Sequence, residues 1–286
     1  MTVKLATISA ESFLVFQNAL INAEHSPATI QKYLRDISAF SAFVGDRPLD
    51  KALVIEYKRA LVDKYAPTSV NSMLAAVNRF LKVIDRYDCT VKTLRIQRQV
   101  FRSRKKELSR EEYFRLLEAA ERKRVPWLSM LMQTICSTGI RVSELRFITV
   151  EAAKNGTATV SLKGKSRTVL IPSALCRQLI KYAKSRGIFS GCIFITRTGK
   201  ALDRSNILHA MKALCEEAGV ERQKVFPHNL RHLFACLYYK ASRDISRLAD
   251  LLGHSNINTT RIYVSVNGSE QKRQLERLGL VIKNTA

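Results

Sequence analysis

Apolar residues recur every three or four positions along most of this chain of 286 residues, and this spacing limits the fold to one built mainly from helices. The clearest stripe has seven members, which are Val70, Met73, Leu74, Val77, Phe80, Leu81 and Ile84. Between Thr157 and Ile171 the spacing changes to two, and a glycine-containing turn interrupts the alternation. The chain is therefore predicted to be mainly α with a small antiparallel β-sheet.

The same pattern divides the chain into two domains joined by a basic linker. Residues 1–94 are predicted to form four helices, including one from about Ser12 to Ala23 and one that begins at Ser26-Pro27. Residues 95–106 contain no acidic residue and six cationic ones, namely Arg95, Arg98, Arg102, Arg104, Lys105 and Lys106. The second domain, residues 107–286, opens at Ser109, which forms a predicted capping box with Glu112.

Helical patterns dominate the second domain on both sides of the predicted hairpin. They cover residues 127–136, begin again at 143, and return at 205–217, 229–240 and 245–252. Glycines at positions 139, 219 and 253 stand where helix-ending glycines are favoured. Residues 258–260 are a predicted helix cap. This domain is expected to be α+β.

Charge is the unusual feature of the composition. Forty-eight Lys and Arg residues against 24 Asp and Glu residues leave a formal net charge of +24, which indicates a polyanionic partner, usually nucleic acid. A membrane surface is a weaker interpretation because no long amphipathic segment with an aromatic face is present. The six cysteines show no metal-ligand spacing, and neither a signal segment nor a membrane-spanning run is recognisable. The chain is expected to be cytoplasmic, with no metal site.

Five short segments of the second domain carry residues suited to phosphodiester chemistry. In chain order they are Thr138-Gly-Ile-Arg-Val-Ser-Glu-Leu145, Leu162-Lys-Gly-Lys165, Pro227-His-Asn-Leu-Arg-His232, Leu252-Gly-His254 and Tyr263. Attack on a phosphate builds negative charge on its non-bridging oxygens, so catalysis depends on positioning and fixed positive charge. Each segment alone is a weak signal, whereas the ordered set strongly favours such a site.

Arginine suits this task because its planar fork donates parallel hydrogen bonds and stays charged. Arg141 and Arg231 each stand at a predicted helix boundary, and Glu144 lies one turn after Arg141, where it is expected to hold that guanidinium. Taken singly, each arginine is equally typical of a surface ion pair.

The histidines and the tyrosine complete the candidate site. His228 shares a helix face with Arg231 and is a candidate base, while His232 is predicted to have a structural role. His254 follows a helix-ending glycine, and Tyr263 lies nine residues later. A phenol is a poor nucleophile until its neighbours draw off its proton, and the cationic groups are expected to do so.

The predicted hairpin supplies the proton donor for the leaving 5′-oxygen. Lys163 is the favoured residue, with Lys165 as the alternative. Lys165 and Arg167 are otherwise expected to contact DNA phosphates, as are five residues of the linker, namely Arg95, Arg98, Arg102, Arg104 and Lys105.

These segments closely resemble those of the tyrosine recombinase (phage-integrase-like) family, especially its short Xer-type members, over nearly the whole chain. The resemblance implies a SAM-like core-binding domain followed by a catalytic domain. It assigns Arg141, Lys163, His228, Arg231 and His254 to a phosphate pocket and makes Tyr263 the nucleophile.

The family mechanism that the resemblance implies proceeds through a 3′-phosphotyrosyl bond and needs neither ATP nor a metal ion. It also implies four protomers around two DNA duplexes, with an apolar C-terminal tail exchanged between protomers. That tail contains Leu275, Leu278, Leu280, Val281 and Ile282.

Two other functions fit parts of the same pattern. A type IB topoisomerase shares the phosphotyrosine chemistry but relaxes DNA as a monomer. A DNA-binding architectural protein would explain the charge without catalysis. The compact helical first domain and the apolar tail favour recombination over relaxation, and the full set of arginine, histidine and tyrosine elements argues against an architectural role.

Overall fold

The computed structural model describes residues 8–96, 106–162, 164–254, 256–264 and 276–277. The chain divides into two compact units, an N-terminal unit of Met1–Arg98 and a C-terminal unit of Gln99–Ala286. In both units helices predominate among the described residues, and the C-terminal unit adds one two-stranded antiparallel sheet. The predicted fold class is therefore confirmed.

The described residues of the N-terminal unit, 8–96, form four α-helices and a short 3-10 helix at Tyr87–Cys89. The α-helices are α1 (Ala10–Asn22), α2 (Pro27–Val44), α3 (Lys51–Lys64) and α4 (Pro67–Val83). Serine or aspartate side chains cap three of them, and proline occupies the first turn of α2 and α4, where its missing N–H costs nothing. The apolar stripes of the four helices face one another, and Phe16, Phe40 and Phe80 are completely buried between them.

The C-terminal unit begins with the predicted capping box, in which Ser109 and Glu112 bond to each other's backbone N–H. Its elements are α5 (Arg110–Arg122), α6 (Pro126–Thr138), a 3-10 helix (Val142–Phe147), α7 (Val150–Asn155), β1 (Thr157–Leu162), β2 (Lys165–Leu170), α8 (Ser173–Ser185), α9 (Arg204–Lys212), α10 (Cys215–Ala218), α11 (Pro227–Ser242), α12 (Ile245–Leu252) and α13 (Ile257–Val264).

Several predicted elements of this unit differ in detail. The segment that starts at Val142 is a 3-10 helix rather than an α-helix, and the pattern over 205–217 is divided between α9 and α10. Helices α7 and α8 were not predicted. The predicted cap at 258–260 lies inside α13, whose first turn is capped by the Asn256 side chain instead.

The hairpin has the register that its alternating sequence predicts. Val160 lies opposite Arg167 and Ala158 opposite Val169, so these four residues share one face of the sheet. Ala158, Val160 and Val169 are buried in the main core of the unit. Gly164 in the two-residue turn has a φ of +72°, a conformation that a hairpin turn of this length requires and that glycine adopts without strain.

Candidate active site

Arg231 is buried in the second turn of α11, with 1% of its surface exposed. Its Nη1 donates to the carbonyl oxygen of Gly139 at 2.6 Å, and its Nη2 donates to that of Leu252 at 2.7 Å. Burial and the nearby Arg141 lower the pKa of Arg231 to about 10, so the guanidinium remains charged at neutral pH. A positive charge is thus held in a largely dehydrated position, where its field is strong.

His254 contacts the same guanidinium. Its Nε2 lies 3.0 Å from Nη2 of Arg231, and its Nδ1 lies 2.9 Å from the hydroxyl of the buried Thr260. Because arginine only donates, Nε2 must be the acceptor and Nδ1 must carry the proton. Burial and Arg231 lower the pKa of His254 to about 4, which keeps the imidazole neutral in this tautomer.

Tyr263 lies on α13 against two histidine rings. Its ring stacks on His254 with centroids 6.0 Å apart and meets the edge of His232 at 5.1 Å. The tyrosine is 8% exposed and packs in a small apolar cluster with Ala235, Leu248 and Leu252. Arg231, His254 and Tyr263 are therefore brought together from α11, the loop after α12, and α13.

Arg141 and Glu144 form the second charged group of the site. Glu144 is 1% exposed; its carboxylate accepts from Nη1 of Arg141 at 2.9 Å and from the Arg141 backbone N–H at 2.8 Å. The expected hold of Glu144 on Arg141 is thus present. Burial alone would raise the pKa of Glu144, but hydrogen bonds from Arg167 and Arg141 outweigh it and hold the pKa near 2. The carboxylate is fully ionised at neutral pH.

A cleft of about 520 Å³ connects the two arginines with His228. Arg141, Arg231 and His228 line it together with Arg146 and Arg204 and with the side chains of Phe194, Leu202 and Phe226. His228 is exposed in the first turn of α11, one helical turn before Arg231. Cationic groups therefore line a cavity open to a large anionic ligand.

Two glycines permit the close packing of these segments. Gly139 ends α6 with a φ of +67°, and a Cβ at this position would lie 2.5 Å from the ring of Phe234. Gly253 ends α12 with a φ of +64°, and a Cβ there would lie 2.6 Å from Cδ of Arg167. Any other residue at either position would be strained and would push the arginine and histidine segments apart.

The other residues proposed from the sequence have varied locations. Arg95 is exposed at the end of the N-terminal unit. Arg167 donates both Nη groups to Glu144 instead of extending into solvent. Lys165 begins β2. Six further predictions concern positions outside the described residues, namely Lys163, Arg98, Arg102, Arg104, Lys105 and the tail apart from 276–277.

His232 is buried, as its predicted structural role requires, and its Nδ1 lies 3.3 Å from Sγ of Cys236. Asn229, the third residue of α11, is also buried, and its Nδ2 donates to the carbonyl oxygens of Lys106 and Lys224. One residue in contact with the site was not predicted. Thr260 contacts His254 from the following helix. The sequence does not predict that Thr260 contacts His254, because this contact depends on how α13 packs against the loop after α12.

The described residues contain no cluster of acidic, histidine and cysteine side chains suited to a metal ion. Among the same residues, none of the helices has the length and apolar character needed to cross a membrane.

Two protein-family models match this chain. Residues 106–270 match the model of the phage integrase family, and residues 15–86 match that of the phage integrase N-terminal SAM-like domain. The tyrosine recombinase XerA of Thermococcus kodakarensis is 30% identical over 268 residues, which cover 90% of this chain and 92% of that protein. The chain belongs to the phage integrase family.

Other members show how far this likeness extends. The tyrosine recombinase XerA of Pyrococcus furiosus is 27% identical over 282 residues, covering 96% of each chain. The lambda integrase tetramer bound to a Holliday junction has the same fold, with a TM-score of 0.72 and 19% identity over 90% of this chain and 77% of that one. Tyrosine recombinases cleave DNA at specific sites and rejoin it, and this integrase-family chain is an enzyme of that class.

Proposed function

We propose that the chain exchanges strands between two DNA duplexes through a covalent 3′-phosphotyrosyl intermediate formed at Tyr263. The observation that carries this proposal is the stacking of Tyr263 on His254, whose Nε2 is itself 3.0 Å from the buried guanidinium of Arg231. A phenol packs on a neutral imidazole, and the imidazole contacts a desolvated cation. This combination is the one that nucleophilic attack on a phosphate requires.

In the first step the phenolic oxygen of Tyr263 attacks the scissile phosphorus and the bond from phosphorus to the 5′-oxygen breaks. The phenolic proton passes to His228, and a proton from Lys163 or Lys165 reaches the departing 5′-oxygen. One phosphate ester replaces another, so the step needs neither ATP nor a metal ion. In the second step the 5′-hydroxyl of a partner strand attacks the phosphotyrosine and gives its proton to the lysine, while the bond from phosphorus to the Tyr263 oxygen breaks and that oxygen takes back a proton from His228.

Arg231 and Arg141 stabilise the charge that builds on the two non-bridging oxygens. Within the described residues, Arg231 uses three N–H groups for Gly139, Leu252 and His254, and a guanidinium has five, so two remain for a phosphate. Arg141 has 41% of its side chain exposed toward the cleft, which suits a group that meets DNA directly. His254 accepts from Arg231 through Nε2 and donates from Nδ1 to Thr260, so it orients the guanidinium without adding charge.

The N-terminal unit and the cationic residues that follow it are proposed to hold the duplex. The linker run from Arg95 to Lys106 neutralises phosphates whatever the base sequence. The family and the tetramer of lambda integrase on a Holliday junction support a synapse of four protomers. We propose that the apolar tail after residue 270 docks on a neighbouring protomer, and that the enzyme acts in the cytoplasm with its DNA.

The test uses DNA selected by the protein itself. A random duplex library is enriched for binding, and the best sequences are rebuilt with a nick beside each candidate scissile phosphate, so that cleavage releases a short strand and traps the adduct. A covalent complex that survives denaturation, with its 3′-phosphate on the peptide containing Tyr263, is expected. Tight binding without any adduct would indicate an architectural protein.

Relaxation of a supercoiled plasmid that lacks the selected sequence separates recombination from topoisomerase activity. Slow or absent relaxation of this plasmid, together with strand exchange between two plasmids that carry the sequence, is expected of the proposed enzyme. Efficient relaxation of both plasmids without strand exchange would instead favour a type IB topoisomerase.

A further inference from the structure

Arg167 lies in an unusual place for a charged residue, the inward face of the hairpin. It lies on β2 opposite Val160 and two residues before Val169, and both of these residues are buried. Because side chains alternate across a strand, Arg167 belongs to the inward face of the hairpin. Only 15% of its side chain is exposed. An arginine on the core side of a hairpin needs an acidic partner that it can reach from there.

That partner is Glu144, and the contact is bidentate. Nη1 of Arg167 donates to Oε1 and Nη2 donates to Oε2, both at 2.8 Å. The same two oxygens accept the side chain and the backbone N–H of Arg141. One buried carboxylate therefore links the hairpin to the arginine expected to meet the scissile phosphate. Two parallel hydrogen bonds from a planar fork fix the orientation of the carboxylate as well as its charge.

The stem of Arg167 also contacts the segment that ends in His254. Its Cδ, Nε and Nη1 lie so close to Gly253 that a Cβ at that glycine would come within 2.6 to 3.0 Å of them. Gly253 directly precedes His254 and follows Leu252, whose carbonyl oxygen holds Arg231. The side chain of Arg167 thus extends from the hairpin and contacts both Glu144, the partner of Arg141, and the loop that carries His254.

We propose that Arg167 is a positioning residue that fixes the direction of the Arg141 guanidinium through Glu144, rather than a ligand of the DNA backbone. This inference rests on the proposed function, in which Arg141 stabilises the scissile phosphate. Without Arg167 the carboxylate of Glu144 keeps only its two bonds to Arg141 and loses the two that tie it to the hairpin, so Glu144 and the Arg141 guanidinium can shift together. The exposed end of Arg141 then loses the fixed direction that transition-state stabilisation requires.

The central experiment compares Arg167→Met with Arg177→Met, a matched loss of one arginine from an exposed position on α8. Single-turnover cleavage of the trapped-adduct substrate is measured at saturating DNA, alongside the Kd of the same duplex over a range of salt concentrations. We expect Arg167→Met to slow cleavage roughly 100-fold, the size of effect that a misplacement of about 1 Å produces. We expect its Kd and salt dependence to match those of Arg177→Met.

A double-mutant cycle with Arg141→Lys separates the two possible roles of Arg167. If Arg167 acts through Arg141, then adding Arg167→Met to Arg141→Lys should slow cleavage less than about 3-fold further, because the two residues share one pathway. If Arg167 binds a phosphate itself, the two losses multiply and the slope of log Kd against log salt falls by about 0.9. The second outcome overturns the proposal.

Arg167→Lys covers the case in which the methionine variant fails to fold. Lysine keeps the charge but not the planar fork, so cleavage should fall to a value between wild type and Arg167→Met. Wild-type cleavage by Arg167→Lys would show that only charge matters and would overturn the positioning role.

A measurement on the free protein keeps this inference distinct from the proposed function. In protein labelled with 15N-arginine, the Nε–H resonance of Arg141, assigned from its absence in Arg141→Lys, should shift and broaden in Arg167→Met and stay unchanged in Arg177→Met. An unchanged resonance in Arg167→Met refutes the inference even if the wild type forms its adduct. If the resonance shifts but the wild-type protein forms no adduct, the orientation of Arg141 still depends on Arg167. In that case only the catalytic role of Arg141 under the proposed function is refuted.

Discussion

The two units bury charged groups in different ways. In the N-terminal unit the buried ions pair with near neighbours in the sequence, since Asp36 contacts Lys32 and Arg86 contacts Asp88. In the C-terminal unit the buried ions also depend on distant residues. Glu144 bonds to Arg141, three positions away, and to Arg167, 23 positions away, and Arg231 donates to a carbonyl oxygen 92 positions away.

This difference separates an ion that a single helix or turn satisfies from an ion whose site exists only after several elements have packed. Local pairs cost little to assemble and can form early. Distant pairs lose their hydration when they are buried, and only the complete fold supplies the hydrogen bonds that offset this desolvation cost. The second kind of burial coincides with the cleft lined by Arg141, His228 and Arg231, and this coincidence is typical of a site built for chemistry.

Replacing Tyr263 by phenylalanine is the sharpest test of this difference and has the largest expected effect. The substitution removes one oxygen and keeps the ring that packs on His254 and His232. Covalent adduct should fall below detection in the trapped-substrate assay, while the Kd for the same duplex changes less than about 2-fold. Adduct formation by this variant would assign the nucleophile to another residue.

Arg231→Ala and Arg86→Ala compare the two kinds of buried arginine directly. Removing Arg231 leaves two buried carbonyl oxygens without their donors and removes fixed charge from the cleft, so cleavage should fall about 10³-fold. Removing Arg86 should lower the stability of the N-terminal unit and leave the cleavage rate at saturating DNA nearly unchanged. Equal losses of cleavage in the two variants would contradict the distinction between local and distant pairing.

Phe80→Ala tests whether the N-terminal unit depends on apolar packing alone. The ring is fully buried and meets Phe16 edge to face at 5.3 Å, so its removal should cost about 3–5 kcal/mol of unfolding free energy. Differential scanning calorimetry should show the transition of the N-terminal unit moving to lower temperature while the C-terminal unit unfolds as before. A shift of both transitions would mean that the units unfold together.

Neutralising Arg102, Arg104 and Lys105 with glutamine tests the cationic run between the two domains. The affinity should fall for every duplex alike, and the slope of log K against log salt should decrease by up to about 2.7, because each lost phosphate contact removes about 0.9. Electrophoretic mobility shifts over a salt series measure both quantities. A loss confined to the selected sequence would show that these residues read bases.

The pH dependence of stability gives the smallest effect. The pKa of His254 falls from 6.5 to about 4 on folding, so the unfolded chain binds the extra proton between these values and stability declines as the pH drops from 6.5 to 4. The pKa of Glu144 falls from 4.5 to about 2, so its contribution is lost only below pH 4.5. Urea unfolding of His254→Gln should show a flatter curve in the upper window alone, and an unchanged curve would contradict a buried neutral imidazole.

Much of the architecture could be predicted from the sequence, because it depends on local spacing. The stripes of α2 and α4, the capping box at Ser109 and the hairpin register follow from side chains a few residues apart. The type of the helix after Arg141 was not predictable in this way, because a carboxylate bonds back to the first backbone N–H both in this 3-10 helix and in the α-helix that begins after Ser109.

Some features of the candidate site were likewise predictable from the sequence, and others depend on the tertiary fold. The order of its arginine, histidine and tyrosine segments is a property of the sequence, and five of the six proposed catalytic residues are described close to one another or along one cleft. The predicted DNA contact of Arg167 follows from its charge, whereas the alternation of β2 places the residue on the inward face of the hairpin, where it binds Glu144.

The sequence by itself determined the helical class, the hairpin, the basic character and the order of the candidate catalytic side chains, since each depends on residue type and on spacing along the chain. Only the tertiary structure decided which ring nitrogen of His254 carries the proton, that Thr260 contacts His254, and that Arg167 binds Glu144. These outcomes depend on contacts between segments that are far apart in the chain. The free energy of burying a charge selects such partners only when the surrounding elements have closed around it.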